Sequence, residues 1–131
     1  MSILGRKVSL KLVAVMAGLM LLAALLPARS STPTREITLV VRGMAFYIDG
    51  DLSTPNPTLE VKAGERVRVV LRNQDRGMTH DFAVPVVAAA TNIVDWDESG
   101  DVTFDVRDTP GTYEYVCRPH RLMMRGTIRV H

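Results

Sequence analysis

Tyr113-Glu114-Tyr115-Val116-Cys117-Arg118-Pro119-His120-Arg121-Leu122-Met123-Met124-Arg125-Gly126 contains the only cysteine of the chain, one of its three histidines and two adjacent methionines. A thiolate, an imidazole and a thioether are soft or borderline donors, the set that a copper ion accepts. Up to Cys117 the residues alternate as in a strand, which puts Tyr113, Tyr115 and Cys117 on one face. Pro119 removes a backbone donor and fixes φ, so the strand ends there and the chain must turn. That turn brings His120 and a methionine back toward the cysteine sulfur. One more nitrogen donor is needed, and His80 is the obvious source. The residues read as a mononuclear copper site.

The run from Pro110-Gly111-Thr112-Tyr113 through Cys117-Arg118-Pro119-His120 to a methionine resembles the copper loop of the cupredoxins, small blue-copper proteins such as plastocyanin, pseudoazurin and amicyanin. In that family the Cys-x-x-His pair is followed by an axial Met and preceded by an upstream His on a neighbouring strand. The resemblance extends from Glu36 to Val130 and implies His80, Cys117 and His120 as ligands of one copper ion cycling between Cu(I) and Cu(II). Gly77-Met78-Thr79-His80-Asp81-Phe82 is similar to the family segment that holds the first ligand. Many members carry Asn after this histidine, where this chain has Asp81. Asp81 is expected to bond the ligand loop through Thr79, Arg118 or a backbone amide; a solvent-exposed carboxylate is the plainer reading.

Met123 and Met124 compete for the axial position. Counting from His120 favours Met123, a spacing closest to that of amicyanin. Counting back from Arg125-Gly126 favours Met124. Neighbours on an extended stretch point opposite ways, so one ligates while the other packs or is exposed. Met123 is the preferred ligand and Met124 the alternative. Met44 and Met78 read as core or rim residues, and His131 as a solvated one.

The N-terminus explains the basic balance. Four of the 16 Lys and Arg lie in residues 1–30, which hold no acid, so residues 31–131 set 12 cations against 14 Asp and Glu, about −2. No basic patch points to nucleic acid. Arg6, Lys7 and Lys11 precede an apolar run from Leu12 to Leu26, followed by Pro27-Ala28-Arg29-Ser30. At about 1.5 Å per residue that run spans roughly 22 Å as a helix, short of a bilayer core near 30 Å. Residues 1–30 therefore read as a secretory signal, with an uncleaved membrane anchor as the alternative. Either places residues 31–131 in the periplasm or elsewhere on the extracytoplasmic side. A single cysteine cannot form a disulfide within the chain, and ligation explains a lone thiol in an oxidising compartment.

Elsewhere the sequence is a series of short strands. Ile37–Val41 is rich in β-branched residues, and Phe46–Ile48 precedes the turn Asp49-Gly50-Asp51. Leu59, Val61, Val67, Val69 and Leu71 alternate with polar residues, and Ala63-Gly64-Glu65 reads as a hairpin connection in an antiparallel sheet. Met78–Val84 reads as a strand, while Val86–Ile93 is open between a helical turn and a strand. Val102–Val106, Tyr113–Cys117 and Thr127–Val130 complete the set. Seven or eight strands in about 100 residues indicate an all-β Greek-key sandwich of the cupredoxin kind.

His₂Cys ligation with a long axial Met is the arrangement of blue-copper electron transfer. The chain is expected to be an electron carrier and not an enzyme, exchanging electrons with redox partners that dock near His120. Arg118, Arg121 and Arg125 around that loop predict a partner with an acidic surface. A binuclear copper centre needs a second cysteine, and a multicopper oxidase needs more histidines than three. A cysteine hydrolase leaves the methionines unexplained, and zinc sites rarely use thioether. The alternative is a module that holds Cu(I) for delivery or resistance.

Overall fold

Alternation of apolar and polar residues decides which face of each strand is buried, and the computed structural model follows it over residues 34–131, the part it describes. The expectations for the leader, residues 1–30, lie outside these residues. Nine strands are present among the described residues: β1 (Thr34–Arg42), β2 (Ala45–Ile48), β3 (Leu59–Val61), β4 (Arg66–Asn73), β5 (Ala83–Val84), β6 (Ala89–Ala90), β7 (Ser99–Asp105), β8 (Gly111–Val116) and β9 (Arg125–Val130). They form two sheets, with strand orders β2-β1-β4-β7 and β3-β9-β8-β5-β6. The expected all-β sandwich is the fold observed.

The inward residues of β1 (Ile37, Leu39, Val41), β3 (Leu59, Val61), β4 (Val67, Val69, Leu71) and β9 (Ile128, Val130) meet in one core. Arg66, Arg68 and Arg72 point outward from β4 and pair with Asp105, with Glu36 and Asp101, and with Asp49. Such exposed pairs contribute little to stability. The core does most of the stabilising.

Two local expectations are corrected. Ala63-Gly64-Glu65 does not close a hairpin: β3 runs parallel to β9, while β4 lies in the other sheet, parallel to β1 and antiparallel to β7. The turn carries the chain across the sandwich. Both arrangements give the same alternation, because β3 and β4 bury one face each in a shared core. In the Met78–Val84 segment only Ala83–Val84 joins a ladder, and His80 makes an isolated bridge to Val94. Val86–Ile93 divides into a 3₁₀ turn over Pro85–Val87, with Ala88 at positive φ ending it, and the short β6.

Phe46, Phe82 and Tyr115 stack between the sheets with centroids 5.3–6.1 Å apart. The Tyr115 hydroxyl donates to the Pro57 carbonyl at 2.6 Å, which fixes the ring. Gly126 is its cross-strand neighbour, and a Cβ there would run into the Tyr115 ring. Gly126→Ala is therefore expected to destabilise the domain by about 1–3 kcal/mol, the usual cost of overpacking. Denaturant unfolding of the metal-free protein measures it, and an unchanged midpoint would contradict the packing described.

Candidate metal centre

Two segments converge at one end of the sandwich, one carrying His80 and the other Cys117 and His120. His80 follows the loop after β4 and is fixed by two backbone bonds to Val94, at 3.0 and 2.8 Å. Cys117 lies immediately after β8, so the strand aims its side chain into the core, where it is fully buried. The chain then coils through tight turns: the His120 amide donates to the Cys117 carbonyl, and the Met123 and Met124 amides donate to the His120 carbonyl. The Cys117 amide donates to the Met124 carbonyl at 2.9 Å, which closes the loop on itself. Arg118-Pro119 makes this coil possible, since Pro119 supplies φ near −65° and needs no donor partner.

This brings Cys117 Sγ to 3.7 Å from His80 Nδ1 and 3.6 Å from His120 Nδ1. The three donor atoms all lie within 4.8 Å of one another, and the two imidazole centroids are 4.8 Å apart. Metal bonds of about 2.0 Å to nitrogen and 2.3 Å to thiolate, at trigonal to tetrahedral angles, separate N and S donors by about 3.5–3.8 Å. The donors thus fit one ion, and their chemistry fits copper.

Met123 and Met124 part as neighbours on a chain must. Met123 is 62% exposed, whereas Met124 has no exposed surface and belongs to the core cluster that includes Cys117. The burial goes against the preference for Met123 drawn from the count after His120. The loop coils after His120 instead of staying extended, and this turns the first methionine outward and the second inward. Met44 packs against the core and Met78 lies at the rim, as expected. His131 is remote, 3.4 Å from Glu60.

Asp81 is fully buried. Its carboxylate accepts the Arg118 amide at 2.7 Å and the Arg118 guanidinium, whose Nη2 also reaches the Thr91 carbonyl. Of the three routes expected for Asp81, the structure uses Arg118, through both backbone and side chain. Asp75, in the polar stretch between β4 and His80, also faces the site and carries no motif that marks it in the sequence. Its carboxylate accepts the Gly43 and Met44 amides at 2.6 and 2.9 Å, and Oδ2 stands 3.3 Å from His80 Nε2. The signal that could have found it is the need of a ligating histidine for a partner at its second nitrogen.

Electrostatics favour the uncharged ligands before metal enters. Burial lowers the pKa of His80 from its ordinary 6.5, the His120 imidazole lowers it further, and Asp75 and Asp81 oppose. Burial raises the Cys117 thiol above its ordinary 9.0, against hydrogen bonds from the Asp81 and His120 backbone. On acidification through 6.5 the unfolded chain therefore takes up the His80 proton first, and that contribution to stability is lost. On raising pH past 9.0 the unfolded chain releases the thiol proton first, and stability falls again. The thermal midpoint of the metal-free protein is expected to peak between these pH values. His80→Gln should flatten the acid limb and Cys117→Ser the alkaline one, as read by calorimetry.

Comparison with known proteins agrees with this picture. Residues 13–130 match the family model for the cupredoxin-like domain. No curated protein gives a significant match. Among solved structures, rusticyanin from Thiobacillus ferrooxidans is similar at 27% identity over 77% of this chain and 79% of that one, with a TM-score of 0.54. Auracyanin B shares the fold at a TM-score of 0.61, with 23% identity over 79% of this chain and 93% of its own. So does auracyanin A, a "blue" copper protein from the green thermophilic photosynthetic bacterium Chloroflexus aurantiacus, at 0.58, with 18% identity over 76% and 100%. The family match takes in nearly the whole described domain, and the chain belongs to the cupredoxins.

Proposed function

We propose that this cupredoxin is an exported carrier of single electrons, with residues 1–30 as its signal segment and residues 31–131 as the domain. In this reading His80, Cys117 and His120 would hold one type 1 copper ion, with the buried Met124 thioether as a further, weaker donor. The observation that carries it is the pair of N–S separations, 3.6 and 3.7 Å, between donors held by two segments that are distant in sequence. Copper so ligated takes up and releases one electron at little cost in rearrangement. The chain's own part is to keep the donors still: Asp81 ties the His80 segment to the Cys117 loop, and the Cys117–Met124 backbone bond fixes the loop's span.

His120 is the ligand nearest the surface, beside Leu122, which is 92% exposed, and Met123. This apolar tip suits brief docking of a redox partner. Arg118 pairs with Asp81, and Arg121 and Arg125 both pair with Glu114, at 3.6 and 2.6 Å. Three cations against two anions leave the rim only weakly positive. An acidic partner is still favoured, with a modest dependence on salt. A second reading has support in Met123, an exposed thioether that lines the same surface hollow as His120. It suits a module that passes Cu(I) to an acceptor.

The spectrum of residues 31–131 with one equivalent of Cu(II) distinguishes the readings. An intense blue thiolate-to-copper band with narrow hyperfine splitting is expected for the electron carrier; bleaching with tight retention of Cu(I) would favour copper delivery. Cys117→Ser is expected to abolish the colour and leave the fold intact by circular dichroism. Met124→Leu should raise the reduction potential strongly by removing a donor to Cu(II), while Met123→Leu should leave it nearly unchanged. The reverse pattern in voltammetry would restore Met123 as the ligand.

A further inference from the structure

His80 has no exposed surface, and its Nε2 has no aligned hydrogen-bond partner among the described residues. A buried imidazole nitrogen left in that state costs free energy. Its Nδ1 faces the Cys117 sulfur, so Nε2 is the nitrogen turned away from the donor cluster. The Asp75 carboxylate stands 3.3 Å from it, in reach but out of line.

Asp75 is well placed to act on that ring. Its side chain is 14% exposed and is held by the Gly43 and Met44 amides. These two residues form the tight β1–β2 turn, both at positive φ, 57° and 59°. Positive φ is costly for Met44, and such strain persists where the surroundings impose it. The Asp75 amide in turn donates to Asn73 Oδ1, and Asn73 Nδ2 donates to the carbonyls of Met78 and of Val94, the bridge partner of His80. The carboxylate and the imidazole backbone thus belong to one hydrogen-bonded unit.

We propose that Asp75 is a positioning residue for His80: its carboxylate holds the imidazole as the Nε2–H tautomer and aims Nδ1 at the metal. It also places a fixed negative charge behind the ligand, which favours Cu(II) over Cu(I). The first part rests on geometry alone; the second rests on the copper reading above. A carboxylate behind a ligating imidazole makes it a more basic donor, and removing such partners typically costs 10–100-fold in metal affinity.

Two measurements test this. Nitrogen-15 spectra of the metal-free protein at pH 8 should show His80 as a single Nε2–H tautomer, and Asp75→Asn should shift it toward a mixture. An Nδ1–H or mixed tautomer in the unaltered protein overturns the proposal, and this arm needs neither copper nor a variant that folds. In the copper-loaded protein, Asp75→Asn should lower the ratio of Cu(II) to Cu(I) affinity about tenfold, a rise of about 59 mV in a one-electron potential. A purely structural role would weaken both affinities alike and leave the potential unchanged, which overturns the charge effect. Absence of any blue copper form would sink the copper reading while leaving the tautomer result to stand by itself.

Discussion

A carboxylate with no exposed surface has to be met by donors, and at Asp81 they come from Arg118. The two residues are 37 positions apart, and each directly follows a member of the donor cluster, His80 in one case and Cys117 in the other. The bond therefore holds together the only two parts of the site that the chain order leaves separate. It is also unequal. The Arg118 side chain is largely exposed and water can solvate its charge, while the Asp81 carboxylate has no second source of solvation. Loss of the partner would strand the carboxylate far more than the guanidinium. The constraint runs from the buried anion outward.

Around this tie the site combines rigidity inside with exposure at one edge. Cys117 and His80 are sealed in the core beside the buried Met124, and close packing there resists their movement. His120, part-exposed, lies between that interior and an apolar tip made by Leu122 and Met123. A metal at such a position would be shielded from water yet only one imidazole away from a docked protein. The arginines near the tip are partly neutralised by Glu114, so the tip's apolar surface and not its charge sets most of its character.

Much of this could be read before the structure. The alternation of Leu59, Val61, Val67, Val69 and Leu71 declared buried faces, and the Cys-x-x-His spacing declared the donors. Pairing was harder. A period of two records which face is buried but not which sheet a strand joins, so β3 and β4 looked like a hairpin and are not. Which of Met123 and Met124 is buried depended on whether the loop coils or extends, and that is decided by backbone bonds to the His120 and Met124 carbonyls that no side chain announces. Asp75 escaped notice for a related reason. Its neighbours Gly43 and Met44 are more than 30 positions away in sequence, and only the packing of the β1–β2 turn against the β4 end brings them to it.

The Cys117–Met124 backbone bond has a consequence for how such a site can change over time. Because the loop begins and ends at the same point in space, residues can be inserted, removed or exchanged between those ends without asking the sandwich to move. Length and composition there would alter how the imidazole and thioether approach the sulfur while the scaffold stays constant. The architecture separates the part that folds from the part that tunes. Variation can explore one while selection preserves the other.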